Sequence, residues 1–159
     1  PNRLTGEVEE RKLWGIYWPR RGPAGPPPSC FYLDTKGVAY GGLAAFEGWL
    51  LPIIYSPEPA TLGQAASRPE MLEFYDQAQK AASAISGQIL AMRLSTSTPD
   101  DVRLELAEGW QIWVTATRPT SEWLPVLVTV LEKDVGPRRS ELEYVDLRFG
   151  NKVFYKYRK

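Results

Sequence analysis

Two pairs of neighbouring carboxylates, Glu9 with Glu10 and Asp100 with Asp101, are the nearest this sequence comes to an acid–base apparatus. Paired carboxylates do such work when both face one substrate atom across a fixed gap. On an extended strand consecutive side chains point to opposite faces, so neither pair can do that. They read as solvated surface charge, or as turn and capping acids. The chain contains no histidine, which removes imidazole acid–base catalysis and every metal site built on imidazole. The one cysteine, Cys30, cannot form an internal disulfide and, between Ser29 and Phe31, reads as a small buried apolar side chain. Gly41-Gly42 lacks the spacing and the lysine of a phosphate-cradling loop. No catalytic residue, metal or cofactor is expected, and the chain reads as a non-enzyme.

Binding chemistry concentrates at the C-terminus. Residues 143–159 carry five basic side chains against two acids, interleaved with Phe149, Phe154, Tyr155 and Tyr157. Such a mixture can stack bases and attract phosphates. Alternation, however, places Val153, Tyr155 and Tyr157 on one face, as core, and Lys152, Phe154, Lys156 and Arg158 on the other. A lysine-bearing edge strand discourages indiscriminate pairing while admitting a chosen partner strand. The tail is therefore expected to be a sheet edge that pairs with another protein. No nucleic acid is expected.

The elements that must hold this tail follow from patterning. At 159 residues, with 43% hydrophobic and 12% aromatic residues, the chain has the size and composition of about one soluble folded domain. Its formal charge is zero, so no global field recruits nucleic acid or an anionic membrane surface. The longest apolar run, residues 49–54, is broken by Pro52 and is far shorter than the ~20 residues of a spanning helix.

The β-branched and aromatic residues Val8, Leu13, Trp14, Ile16, Tyr17 and Trp18 predict an opening strand. Five prolines and two glycines in residues 19–28 predict a linker. A hairpin is expected across residues 35–37, joining 30–34 to 38–40, then a short strand over 50–55. Ser67, Pro69 and Glu70 mark a helix start, with Ser67 as its cap. Leu72, Tyr75, Ala78 or Gln79, Ala82 and Ile85 then form one apolar stripe, and Gly87 ends the helix. Three strands follow, over 88–94, 102–106 and 110–114, with Val102, Leu104 and Leu106 alternating against Arg103 and Glu105. A second helix is expected over 121–135, with Pro125 in its first turn. Two final strands, 142–149 and 152–158, flank Gly150-Asn151. The order implies an α+β domain, a mixed sheet with two helices packed on it.

Glu143-Tyr144-Val145-Asp146-Leu147-Arg148-Phe149, continued by Gly150-Asn151-Lys152-Val153-Phe154-Tyr155, resembles the C-terminal signature of the FtsQ/DivIB family of bacterial cell-division proteins. Phe31-Tyr32-Leu33-Asp34 with Gly37-Val38-Ala39-Tyr40 looks like the first hairpin of that family's β domain. Residues 102–110 look like its strand, glycine, strand element, and Val8-Glu9-Glu10-Arg11 is similar to the last strand of its POTRA domain. The resemblance implies residues 1–18 as the last strand of a truncated POTRA domain, 19–28 as a proline-rich linker and 29–159 as the β domain. The insert at 19–28 departs from the family pattern.

The resemblance further implies a single-pass inner-membrane protein, this region lying outside the cytoplasm at the division site and its N-terminal anchor absent from this chain. It would act as a divisome scaffold that holds FtsB- and FtsL-like proteins and helps control septal cell-wall synthesis. Its partner strand would pair along Asn151, Lys152, Val153, Phe154, Tyr155, Lys156 and Tyr157, with Arg148 and Phe149 beside the interface. Asp146, two residues from Arg148 on the same face, is expected to pair with it. A POTRA-linked interaction module of another envelope assembly is the alternative, and a nucleic-acid-binding domain a less favoured one.

Overall fold

The computed structural model describes residues 10–19, 30–43, 50–150 and 152–159. Among these residues nine strands form one mixed sheet: β1 (Leu13–Pro19), β2 (Cys30–Asp34), β3 (Ala39–Leu43), β4 (Ile53–Ser56), β5 (Ile89–Leu94), β6 (Asp101–Leu106), β7 (Gln111–Thr115), β8 (Leu142–Phe149) and β9 (Lys152–Tyr157). Their spatial order is β3-β2-β1-β4-β5-β6-β7-β8-β9. The pairs β1/β4, β4/β5 and β7/β8 are parallel and the rest antiparallel. Two of the parallel pairs are bridged by the helices α1 (Pro69–Ala82) and α2 (Thr120–Val130), because a chain that re-enters a sheet in the same direction must cross over it. The α+β expectation of a mixed sheet with two helices holds.

One core lies between the helices and the sheet. Val102, Leu104 and Leu106 of β6, Ile112 and Val114 of β7, and Val145 and Leu147 of β8 meet Leu72, Tyr75 and Ala78 of α1 and Trp123 and Leu127 of α2. The alternation read on β6 is thus the real one, with Arg103 and Glu105 on the uncovered face. Two polar pins seat α1: the Tyr75 hydroxyl donates to the Ile89 carbonyl at 3.2 Å, and Gln79 Oε1 accepts the Ile89 N–H at 3.0 Å. Cys30 is fully buried, as expected.

Several local expectations shift. Arg68, not Ser67, occupies the cap position of α1, with extended backbone and no side-chain cap. The residue before a proline is driven out of the helical region, so Pro69 fixes the boundary and strands the Ser67 hydroxyl, which is buried without a partner. The helix is reversed at left-handed Ser86, and Gly87 donates back to the Ala82 carbonyl at 2.9 Å. Pro125 lies inside α2, past its first turn, and the chain continues as a π-helical stretch, Leu131–Val135, where one helix to residue 135 was expected. The 30–40 hairpin forms, with Gly37 at φ 77 in its turn.

Strand β1 sits inside the common sheet, hydrogen-bonded to β2 on one side and β4 on the other. Residues 1–9, Val8 and Glu9 among them, and residues 20–29 of the proline-rich segment lie outside the described residues. No helix among those described is long and apolar enough to cross a membrane.

Candidate partner-binding edge

The sheet has two ends, and the protein treats them differently. At the β3 end, Gly41 at φ 56 accompanies a register shift between Phe31 and Tyr32, a bulge that twists the edge. The chain then covers the start of that edge: Ala39 donates to the Gln64 carbonyl and Gly63 donates to the Ala39 carbonyl, at 3.0 and 2.8 Å. Bulges and covering loops are how sheets blunt an edge.

The β9 end has neither device among the described residues. Both register shifts of the β8/β9 pair place the extra residue on β8, so β9 runs regularly over its six residues. Arg158 donates its N–H to the Glu141 carbonyl at 2.8 Å, toward β8. Backbone groups alternate sides along a regular strand. The amides of Lys152, Phe154 and Lys156 therefore also face β8, while the N–H and C=O of Val153, Tyr155 and Tyr157 face outward. Among the described residues nothing pairs with those three, which offer a ladder to an incoming strand.

The side chains of β9 divide as follows. Val153 and Tyr157 are half-buried against the core, whereas Tyr155, expected to be core with them, is 41% exposed. An edge residue has a strand neighbour on one side only, so facing the helices does not suffice to bury it. Phe154 projects onto the uncovered face opposite Asp146 and meets Phe149 edge to face at 5.5 Å. Both rings are more than half exposed. Lys156 pairs with Glu143 at 2.6 Å, and this hydrogen-bonded carboxylate holds its ammonium above the ordinary lysine value. Lys152 is exposed without an acid partner among the described residues. Arg138 lies over the Tyr157 ring at 3.8 Å and anchors the end of the strand. Asn151 lies outside the described residues.

Arg148 points onto the uncovered face and is held there. Its Nε and Nη2 donate to the two oxygens of Asp146 at 2.9 and 2.7 Å, and its Nη1 donates to Asp101 Oδ2 at 3.0 Å. Asp146 Oδ1 also accepts the Arg148 backbone N–H at 3.1 Å. That amide lies in the stretch of β8 where its register against β9 shifts. Charge-assisted bonds raise the arginine above its already high basicity, those to Asp146 first and to Asp101 after. The expected Asp146–Arg148 pair is real, and Asp101 joins it. The adjacent Asp100 points elsewhere, to Arg68.

Tyr55, Arg93 and Trp113, which sequence reasoning did not single out, complete this face. The strand registers align Trp18, Tyr55, Arg93, Arg103, Trp113, Asp146 and Phe154 in one row from β1 to β9. Arg93 lies over Tyr55 and Arg103 over Trp113, each at 4.3 Å, and Trp113 stacks on Tyr144 at 4.1 Å. Aromatic and cationic residues at the wet positions of successive strands carried this signal, but only the register puts them in a row. Among the described residues no cluster of acids and thiols converges as a metal site would require.

No protein-family model and no curated protein matches the chain. Among solved structures, it is similar to the major extracytoplasmic domain of the trans isomer of the cell-division protein DivIB from Geobacillus stearothermophilus. The TM-score is 0.41 with 13% identity, over 81% of this chain and 100% of that one.

Proposed function

We propose that this protein is a non-enzymatic scaffold of the bacterial division machinery, of the FtsQ/DivIB type. It accepts a strand from an FtsB-like partner along β9, holds FtsL through that partner, and helps control septal wall synthesis from the extracytoplasmic side of the inner membrane. The observation that carries this reading is the contrast between the two sheet edges. The chain blunts β3 with a bulge and a covering loop, and leaves β9 regular, with the outward amides and carbonyls of three residues unpaired among the described residues. Strand addition takes its affinity from such main-chain groups and its selectivity from flanking side chains, here Phe149, Phe154 and Lys152.

Proline at position 155 removes an outward N–H and leaves the β8 ladder intact. Co-expression with the soluble segment of the FtsB-like protein from the same genome should yield a complex with the native chain and with Tyr155→Phe, and none with Tyr155→Pro. Equal capture by folded Tyr155→Pro would refute pairing at this edge.

A further inference from the structure

We propose that Arg148 is a positioning residue: it locks the bulge of β8 to β6 and so presents Phe149 and Phe154 beside the free edge, without itself meeting the partner. The inference rests on the β9 reading above, but its geometry stands apart from any partner.

Three observations carry it. First, all three guanidinium nitrogens are already engaged, by Asp146 on the same strand and by Asp101 two strands away. Second, the arginine sits between two carboxylates, so the trio is formally negative by one charge. An acidic group on a partner would be repelled from it, and a basic one would have to displace the arginine. Third, the guanidinium lies over two rings, Trp113 at 5.2 Å and Phe149 at 5.5 Å. The residue next to Phe149 is thus tied to β6 by way of Asp101, across the intervening β7, whose Trp113 it covers.

The bulge explains why such a tie is needed. Between Asp146 and Phe149, β8 advances three residues while β9 advances two, so one residue of this stretch has no counterpart opposite it. An unpaired backbone donor there would let the strand end wander. Asp146 accepts the Arg148 amide and, with the same oxygen, one arm of Arg148. The arginine carries the constraint on to Asp101. Phe149 then meets Phe154 edge to face, and the pair forms an apolar surface continuous with the edge.

Asp101→Asn separates this role from direct contact, because Asp101 is remote from β9 and its amide replacement can still accept the Thr115 hydroxyl bond at Oδ1. The protein is labelled with 4-fluorophenylalanine at its five phenylalanines, and the resonances of Phe149 and Phe154 are followed in the free state. Both are expected to shift in Asp101→Asn and in Arg148→Lys, since an ammonium cannot bridge two carboxylates as a guanidinium does. Affinity for the FtsB-like segment should fall about tenfold in each, and Asp101→Asn combined with Arg148→Gln should bind no worse than Arg148→Gln alone. Unmoved fluorine resonances in Asp101→Asn would overturn the proposal. So would unchanged or tighter binding by Asp101→Asn alongside full retention by Arg148→Lys, the pattern of a direct charge contact. Should the native chain capture no FtsB-like segment, the partner reading fails and the fluorine shifts alone decide the role of Arg148. If Arg148→Gln does not fold, Asp101→Asn and Arg148→Lys still decide between the two roles.

Discussion

Tyr144 lies flat on Trp113, ring centroids 4.1 Å apart and planes 14° from parallel, where β7 and β8 run side by side on the uncovered face. The stack joins two parallel strands whose connection is the whole of α2 and the turns after it, so it helps fix the register of the motif strand. Arg103 covers the same indole, leaving Trp113 occupied from within the protein rather than offered to a ligand.

Because the rings are stacked in contact, a double-mutant cycle of Trp113→Ala and Tyr144→Ala should give a coupling of about 0.5–1.5 kcal/mol. Urea denaturation of the four proteins measures it. Strict additivity would mean that the stack contributes nothing beyond burial.

Proline scanning of β9 should show a two-residue alternation in stability. Phe154→Pro removes an N–H aimed at β8, leaves its carbonyl partner unpaired and should cost about 1–3 kcal/mol, whereas Tyr155→Pro, with its N–H outward, should cost clearly less. Thermal melts of the two variants read the difference. Equal losses would mean that the assigned backbone directions are wrong.

Gly37 combines φ +77 with a close approach, for a Cβ there would stand 2.1 Å from the Ser67 carbonyl oxygen. Gly37→Ala should therefore cost about 3 kcal/mol or more, from left-handed strain and the backbone clash together. A urea midpoint close to the native one would show that the loop bearing Ser67 yields freely.

Burial of the Tyr75 phenol pushes its pKa up from 10.0 to about 12, with Asp76 adding to the rise. A raised folded-state value means that the folded protein keeps the proton longer than the unfolded chain. The associated stability is whole below pH about 10 and is lost as pH rises through about 12. Tyr75→Phe should flatten that alkaline decline, at a fixed cost for the lost bond to Ile89. Denaturant titrations at stepped pH test it, and an undiminished slope in the variant would assign the decline to other groups.

Leu127 is fully buried where α2 meets the sheet, so Leu127→Ala should cost about 2–5 kcal/mol, according to how far the cavity collapses. A loss below about 1 kcal/mol, by urea unfolding, would contradict close packing of α2.

Local physics made much of this protein legible. Val102, Leu104 and Leu106 alternate because one face of β6 is wet, and Leu72, Tyr75 and Ala78 recur at helical spacing because one side of α1 is dry. Gly37 and Gly150 stand where positive φ is required. The pairing of Asp146 with Arg148 follows from two residues sharing a strand face. The lysines and the regular alternation of the tail also marked β9 as an edge.

Other features needed the assembled sheet. Arg148 finds Asp101 at a separation of 47 residues, and Trp113 finds Tyr144 across a parallel pair, because two crossover helices set which strands become neighbours. Tyr155 shows the limit of alternation, which assigns a face but not the depth of cover over it. Likewise Ser67 carries a capping residue's chemistry, yet Pro69 moves the cap by one residue and leaves its hydroxyl alone. The sequence by itself determined the elements, their wet and dry faces and the identity of the edge strand, since each rests on interactions a few residues long. Only the tertiary structure decided that the arginine of the motif is bound inward by two carboxylates, since that depends on strand register, which no local pattern encodes.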